Sequence, residues 1–204
     1  MMDTFKDSSK IVNKGTGAGG ANTNKNGLQY EEISDLSSSF TVNRTVKQYN
    51  EVTFNTDKDL TPFIFVKKKQ FLKYLSPVTD KSIPIAHGCK EPDECYINEK
   101  TKTIFIIEKK YQKTPGSVCE KLQSAPVKKK HLRELFPTYN TVYIYCLSSW
   151  FKEMNHHGKK NCEFELTLLE REGIPVFWGD SLTYKEDIID YIVNFKIPDL
   201  PLIK

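Results

Sequence analysis

Apolar and polar positions divide this chain unevenly. Residues 1–26 are rich in Gly, Asn, Lys and Ser and show no apolar period, which predicts a flexible arm or loop. Patterned sequence begins at Gly27. Leu28, Tyr30, Ile33 and Leu36 space as one face of a short amphipathic helix with acids along its side. Strand-like segments follow around Val46–Phe54 and Pro62–Val66, and Phe71, Leu72 and Leu75 predict a helix over Lys67–Leu75 that stops before Pro77. Cys95–Asn98 and Thr103–Lys110 read as two strands joined by the polar connection Glu99-Lys100-Thr101-Lys102. Ser117-Val118-Cys119-Glu120 has the S-x-x-E form of a capping box and opens a helix through Gln123. Pro126 suits the first turn of a second helix, which runs to Phe136 and ends at Pro137. Thr141–Leu147 is an unbroken β-branched and aromatic run, as in a strand buried on both faces, and Ile174–Trp178 predicts another. Between them a helix covers Glu163–Glu172 and stops at Gly173. Thr183-Tyr184-Lys185-Glu186 repeats the capping-box pattern before a last helix ending near Phe195. The sum is α/β: a mixed central sheet flanked by helices, forming one domain over residues 27–204 without an internal repeat.

With 204 residues, 38% of them apolar and including 12 Phe and 10 Tyr, the chain can bury a substantial core. No apolar run approaches the roughly 20 residues that a bilayer span requires. The polar stretch Met1–Lys14 lacks the apolar centre of a secretory signal, so a soluble, cytoplasmic protein is expected. The odd number of cysteines, five without regular spacing, predicts reduced thiols. Neither a CxxC pair nor HxxxH accompanies His87, Cys89, Cys95, His156 and His157, so no zinc site is read there. The net charge of +4 hides an asymmetry. Between Lys100 and Arg133 stand ten basic residues and two acids, so this stretch carries +8 and the remainder −4. Concentrated positive charge is what a polyphosphate ligand rewards through counterion release, although a solvated lysine-rich face has the same composition.

The charged end of Thr103–Lys110 concentrates the candidate chemistry. Side chains in a strand alternate with period two, so Ile104, Ile106, Glu108 and Lys110 share one face and Phe105, Ile107 and Lys109 the other. An apolar strand whose last residues become charged is leaving the core at an open end of the sheet. Asp93 precedes the partner strand, and antiparallel pairing about the turn returns Glu108 close to its level. Two carboxylates and an ammonium converging at a strand end suit phosphodiester hydrolysis. Asp93, Glu108 and the Lys109 carbonyl would hold Mg²⁺, with Lys110 orienting the nucleophile or stabilising charge added at phosphorus. A salt bridge at a hairpin edge is the alternative that these residues leave open.

Pro92-Asp93, fourteen residues, then Glu108-Lys109-Lys110 resembles the active-site motif of the PD-(D/E)XK nuclease superfamily. Two flanking stretches are similar more particularly to type II restriction endonucleases: Gly19 through Glu31, and His87 through Glu94 continued by Gly116 through Gln123. The similarity touches residues from about 15 to 150. It implies a restriction-endonuclease-like core, Mg²⁺-dependent hydrolysis of double-stranded DNA at a short specific sequence, and a homodimer matching the two-fold symmetry of most duplex targets. By resemblance, Asp93, Glu108 and Lys110 are the catalytic positions. Glu31, from the first core helix, is a further metal ligand, with Glu32 as its adjacent competitor. Cys119 departs from the pattern, standing where an acid is expected, and no Gln-x-x-x-Tyr follows Gln123.

Further DNA contacts are expected from Asn22, Asn24, Lys25, Lys113, Lys128 and Lys129. Gly15 to Gly20 contains GxGxxG, but it lacks the preceding strand of a dinucleotide fold and the Lys-Ser/Thr of a phosphate loop. His156-His157-Gly158-Lys159-Lys160 reads either as a DNA contact or as a plain connecting loop. Two other functions remain open on the same residues: a repair or recombination nuclease, and a DNA-binding module whose acidic cluster is structural.

Overall fold

The computed structural model describes residues 21–86, 89, 91–114 and 117–197. Seven strands form one sheet in chain order: β1 (Phe40–Val46), β2 (Tyr49–Phe54), β3 (Phe63–Val66), β4 (Glu94–Asn98), β5 (Thr103–Lys110), β6 (Asn140–Leu147) and β7 (Val176–Trp178). Strands β1 to β5 pair antiparallel, and β5, β6 and β7 pair parallel. Parallel neighbours need a crossover, and helices supply it. Helices α3 (Val118–Gln123) and α4 (Ala125–Leu135) lie between β5 and β6, and α5 (Glu163–Arg171) lies between β6 and β7. Helices α1 (Ala21–Ile33), α2 (Lys69–Leu75) and α6 (Tyr184–Val193) complete an α/β domain with a mixed sheet, as the hydrophobic pattern predicts.

Each face of the sheet has its own core. Ile104, Ile106, Tyr143 and Tyr145 pack with Phe71 of α2, Leu122 of α3, Leu132 of α4 and Leu169 of α5. Phe105, Ile107, Val142 and Ile144 pack with Tyr30 of α1 and with Ile188 and Ile192 of α6. Strands β5 and β6 are thus covered on both sides, which is why their apolar runs are continuous.

Five expectations change. Helix α1 begins at Ala21, so residues 21–26 are helical and the flexible arm does not extend through them; residues 1–20, including the Gly15–Gly20 run, lie outside the described residues. The helix is anchored by Tyr30, with Leu36 buried just beyond it, while Leu28 and Ile33 are 51% and 58% exposed. Strand β1 has no hydrophobic signature, since only Phe40 is buried; its pairing with β2 is a backbone matter, with a bulge between Val42 and Arg44. Strand β7 is only half-buried, because it closes one edge of the sheet. Neither Ser117 nor Thr183 caps its helix through its side chain; the Thr183 hydroxyl instead donates to Asp187 Oδ2 at 2.8 Å.

A further correction concerns the cysteines. Cys119 of α3 and Cys162, just before α5, are joined by a disulfide with Cα atoms 5.7 Å apart, while Cys89, Cys95 and Cys146 are free and buried. The bond spans 43 positions of sequence. By loop-closure entropy, such a bond stabilises by about 4 kcal/mol. Reductant is therefore expected to lower the midpoint of thermal unfolding by roughly 8–16 °C, and the Cys119→Ser/Cys162→Ser variant should be insensitive to it. An unchanged wild-type midpoint would show that the bond does not constrain the chain.

Gly179, just past β7, allows a close approach between elements. A Cβ at this position would lie 2.5 Å from Cys146 Sγ and 2.8 Å from Tyr30 Cζ, and closer still to the Tyr30 hydroxyl. Tyr30 and Cys146 are both buried and hydrogen-bonded to each other, so moving either aside disturbs that bond. Gly179→Ala is expected to destabilise by about 1–3 kcal/mol through overpacking. In calorimetry this is a drop of roughly 2–12 °C, and a neutral result would mean that α1 is loosely seated.

Candidate functional site

The β4–β5 hairpin assembles the candidate centre from adjacent positions. Cys95 pairs with Ile106 and Glu94 with Ile107, so Asp93 arrives beside Glu108 at the open end of the hairpin. The Asp93 carboxylate accepts the Lys109 backbone N–H at 2.8 Å. The Lys110 ammonium donates to Glu108 Oε1 at 2.7 Å and to the Lys109 carbonyl at 3.1 Å. Lys128, reaching inward from α4, brings a second ammonium to 3.7 Å from the same Glu108 oxygen, with its side chain only 19% exposed. Glu108 and Lys110 are therefore joined on the sheet face that the alternation predicts, and Asp93 is tied to the backbone between them through the Lys109 N–H while lining the cleft on the α1 side. This group sits at the carboxyl end of β5, where open α/β sheets place their ligands.

The electrostatics follow from this crowding. Burial raises the Asp93 carboxyl above the usual carboxylate range, and the charge of Glu108 adds to the shift. The Lys109 N–H and the Lys110 ammonium offset it only in part. Beneath Glu108, the Tyr143 hydroxyl is buried without a hydrogen-bond partner among the described residues. It borders a cavity of about 10 Å³ shared with Glu108, Cys89 and Pro92.

Lys109 points to the opposite face. Its ammonium forms an ion pair with Glu94, the two side chains being 2% and 1% exposed, and donates to the Glu31 carbonyl at 3.1 Å. Tyr96 donates to the other Glu94 oxygen at 2.9 Å. Glu94 is not among the candidate residues that the sequence motifs mark. Its signal was present: Lys109 shares a face with Phe105 and Ile107, and an ammonium there requires an acid.

Glu31 lines a cleft of about 260 Å³ that also contains Glu32, Asp35, Lys67, Lys68 and Asp93. It pairs with Lys68 at 3.1 Å. Asp35 pairs with Lys67; burial pushes its carboxyl up, but the hydrogen bonds from Lys67 and Ser37 outweigh that and hold it at about 2. Among the described residues, three metal-capable side chains converge on one point only at Cys119, Cys162 and Glu165, and two of those are joined in the disulfide. Glu31, Asp93 and Glu108 do not form such a group. The oxygens available to a hard cation at the hairpin end are those of Asp93, Glu108 and the Lys109 carbonyl, the last two already gathered about the Lys110 ammonium. This oxygen set fits Mg²⁺.

The expected DNA-contacting residues scatter. Asn22 and Asn24 fall in the first turns of α1, their side chains outside the described residues, while Lys25 and Lys113 are exposed. Lys128 belongs to the centre itself. Lys129 must be corrected: its ammonium donates to the carbonyls of Glu172 at 2.5 Å and Gly173 at 2.9 Å, satisfying the C-terminal end of α5. Gly173, at φ 58°, terminates that helix. His156 and His157 are exposed in a loop turned by the Asn155 side chain, and His87 lies outside the described residues. No helix among the described residues is long and apolar enough to cross a membrane. No protein-family model matches the chain, and neither a curated protein nor a solved structure matches it.

Proposed function

We propose that the protein is a magnesium-dependent endonuclease of the restriction type, cutting double-stranded DNA at a short specific sequence as a homodimer. One observation carries the reading. Glu108 and the Lys109 carbonyl both accept from the Lys110 ammonium at the open end of β5, Asp93 is tied to the same backbone through the Lys109 N–H, and Lys128 stands behind Glu108. Mg²⁺ held by Asp93, Glu108 and the Lys109 carbonyl would polarise a phosphoryl oxygen and acidify a bound water. Lys110 neutralises Glu108 and presents an ammonium where negative charge develops on phosphorus. Lys128 shares that neutralisation from the α4 side. The Asp93 carboxylate is held in place by the Lys109 N–H rather than by a flexible side chain, so the β5 backbone sets its position relative to Glu108. Both lysines belong to the +8 stretch from Lys100 to Arg133, whose Lys100 and Lys102 lie at the opposite end of β5, so the positive charge that a polyanion would meet at this end is that of Lys110 and Lys128 with the exposed Lys113.

Plasmid incubated with the protein and Mg²⁺ tests the reading. Discrete fragments are expected. Nicking confined to branched or damaged DNA would favour a repair or recombination nuclease instead. Binding without cleavage would reduce the centre to a structural ion cluster.

A further inference from the structure

Lys68 occupies a backbone position that ordinarily takes glycine. Its φ is 46° and ψ −122°, and the Gln70 N–H donates to the Lys67 carbonyl at 3.0 Å. Residues 67–70 thus form a turn of the II′ kind, whose second position favours glycine because a Cβ is strained there. The turn is tied to the candidate centre: the Lys68 N–H donates to the carbonyl of Pro92, the residue before Asp93, at 2.9 Å. Glycine would make the same backbone bond without strain. The reason for lysine must therefore lie in the side chain.

That side chain reaches into the cleft on the α1 side of Asp93. Its ammonium donates to Glu31 Oε2 at 3.1 Å, and this hydrogen bond, opposed by burial and helped by the charges of Glu31, Asp93 and Glu91, favours the charged form of Lys68. The side chain is 51% exposed. An ion pair so exposed contributes too little to offset the strain of its own backbone, so the pair by itself does not account for lysine. A ligand that uses the ammonium does. The cleft opens beside Asp93, and an oxyanion is the group that competes with a carboxylate for an ammonium.

We propose that Lys68 is a phosphate-binding residue of the cleft, gripping the DNA backbone beside the cleavage centre, with the Glu31 carboxylate as its partner until DNA arrives. This rests on the nuclease reading above. DNA entry then exchanges one anion for another at Lys68 and releases Glu31 next to Asp93.

The test compares wild type with Lys68→Gly and Lys68→Gln, measuring binding to a mixed-sequence duplex without Mg²⁺ across a salt series. Both variants are expected to bind more weakly, with the slope of log Kobs against log salt reduced by about 0.9, the loss of one phosphate contact. Lys68→Gly, relieved of strain, should also unfold at no lower a temperature than wild type, which a purely structural lysine would not permit. Unchanged slopes in both variants, or a lowered midpoint for Lys68→Gly with its slope intact, would overturn the inference. A wild-type protein that binds duplex yet leaves plasmid uncut would instead sink the nuclease reading, with the slopes still readable. Absence of wild-type binding would overturn both.

Discussion

Replacing Glu108 or Lys110 with alanine is expected to reduce Mg²⁺-dependent plasmid cleavage by roughly a hundredfold to a thousandfold or more, the loss usual when a group stabilising transition-state charge is removed. Chelation with EDTA should abolish cleavage in the wild type. The fold should survive either substitution, because both side chains lie at the open end of the hairpin and retain partial exposure. The two variants should differ in pH dependence. Asp93 already titrates above the ordinary carboxylate range, with Lys110 as one of the groups restraining the shift. Removing Lys110 raises Asp93 further, so residual activity requires a higher pH before the carboxylate is ionised. Its acidic limb should move toward neutrality. Removing Glu108 takes away a repelling charge and should move any residual limb the other way. Undiminished cleavage by either variant would remove that residue from the centre.

The largest stability effect is expected at Glu94. Glu94→Ala leaves the Lys109 ammonium buried without its acid and orphans the Tyr96 hydroxyl. Breaking such a pair from one side costs about 3–5 kcal/mol. For a chain of this size this is a fall in unfolding midpoint of roughly 6–20 °C. Replacing Glu94, Lys109 and Tyr96 together by Leu, Met and Phe should recover most of that loss, because buried ion pairs exchanged for well-packed apolar groups are often neutral or better. A single Glu94→Ala variant as stable as wild type would mean that water reaches Lys109.

The centre was legible in the sequence because it is built locally. Asp93, Glu108 and Lys110 belong to one hairpin, and period-two alternation with a polar connection is enough to place their side chains. Strand β5 appears with the bounds that its composition predicts, since both of its faces are covered. What was illegible depends on distant partners or on no side chain at all. Strand β1 is held by backbone pairing and advertises nothing but Phe40. The start of α1 is helical without an apolar stripe. Lys128 and Lys129 are neighbours of one type in the sequence, yet one turns inward to Glu108 and the other outward to the end of α5. Their fates are decided by what lies opposite α4, which spacing alone does not encode. The strain at Lys68 is a backbone property, invisible in a run of three lysines.

The buried Glu94–Lys109 pair also has a consequence for strand alignment. Were β5 to slip by a single residue against β4, every side chain on it would change faces. Lys109 would leave Glu94 for the side lined by α4, and the Glu108 carboxylate would enter the apolar layer beneath α1 and α6. Apolar residues alone guard against this weakly here, since Ile104, Phe105, Ile106 and Ile107 are buried whichever way they point. Two charges that must meet penalise the shifted alignment where hydrophobicity is nearly indifferent to it. A pair that adds little to stability can thereby fix the register on which the meeting of Asp93 and Glu108 depends.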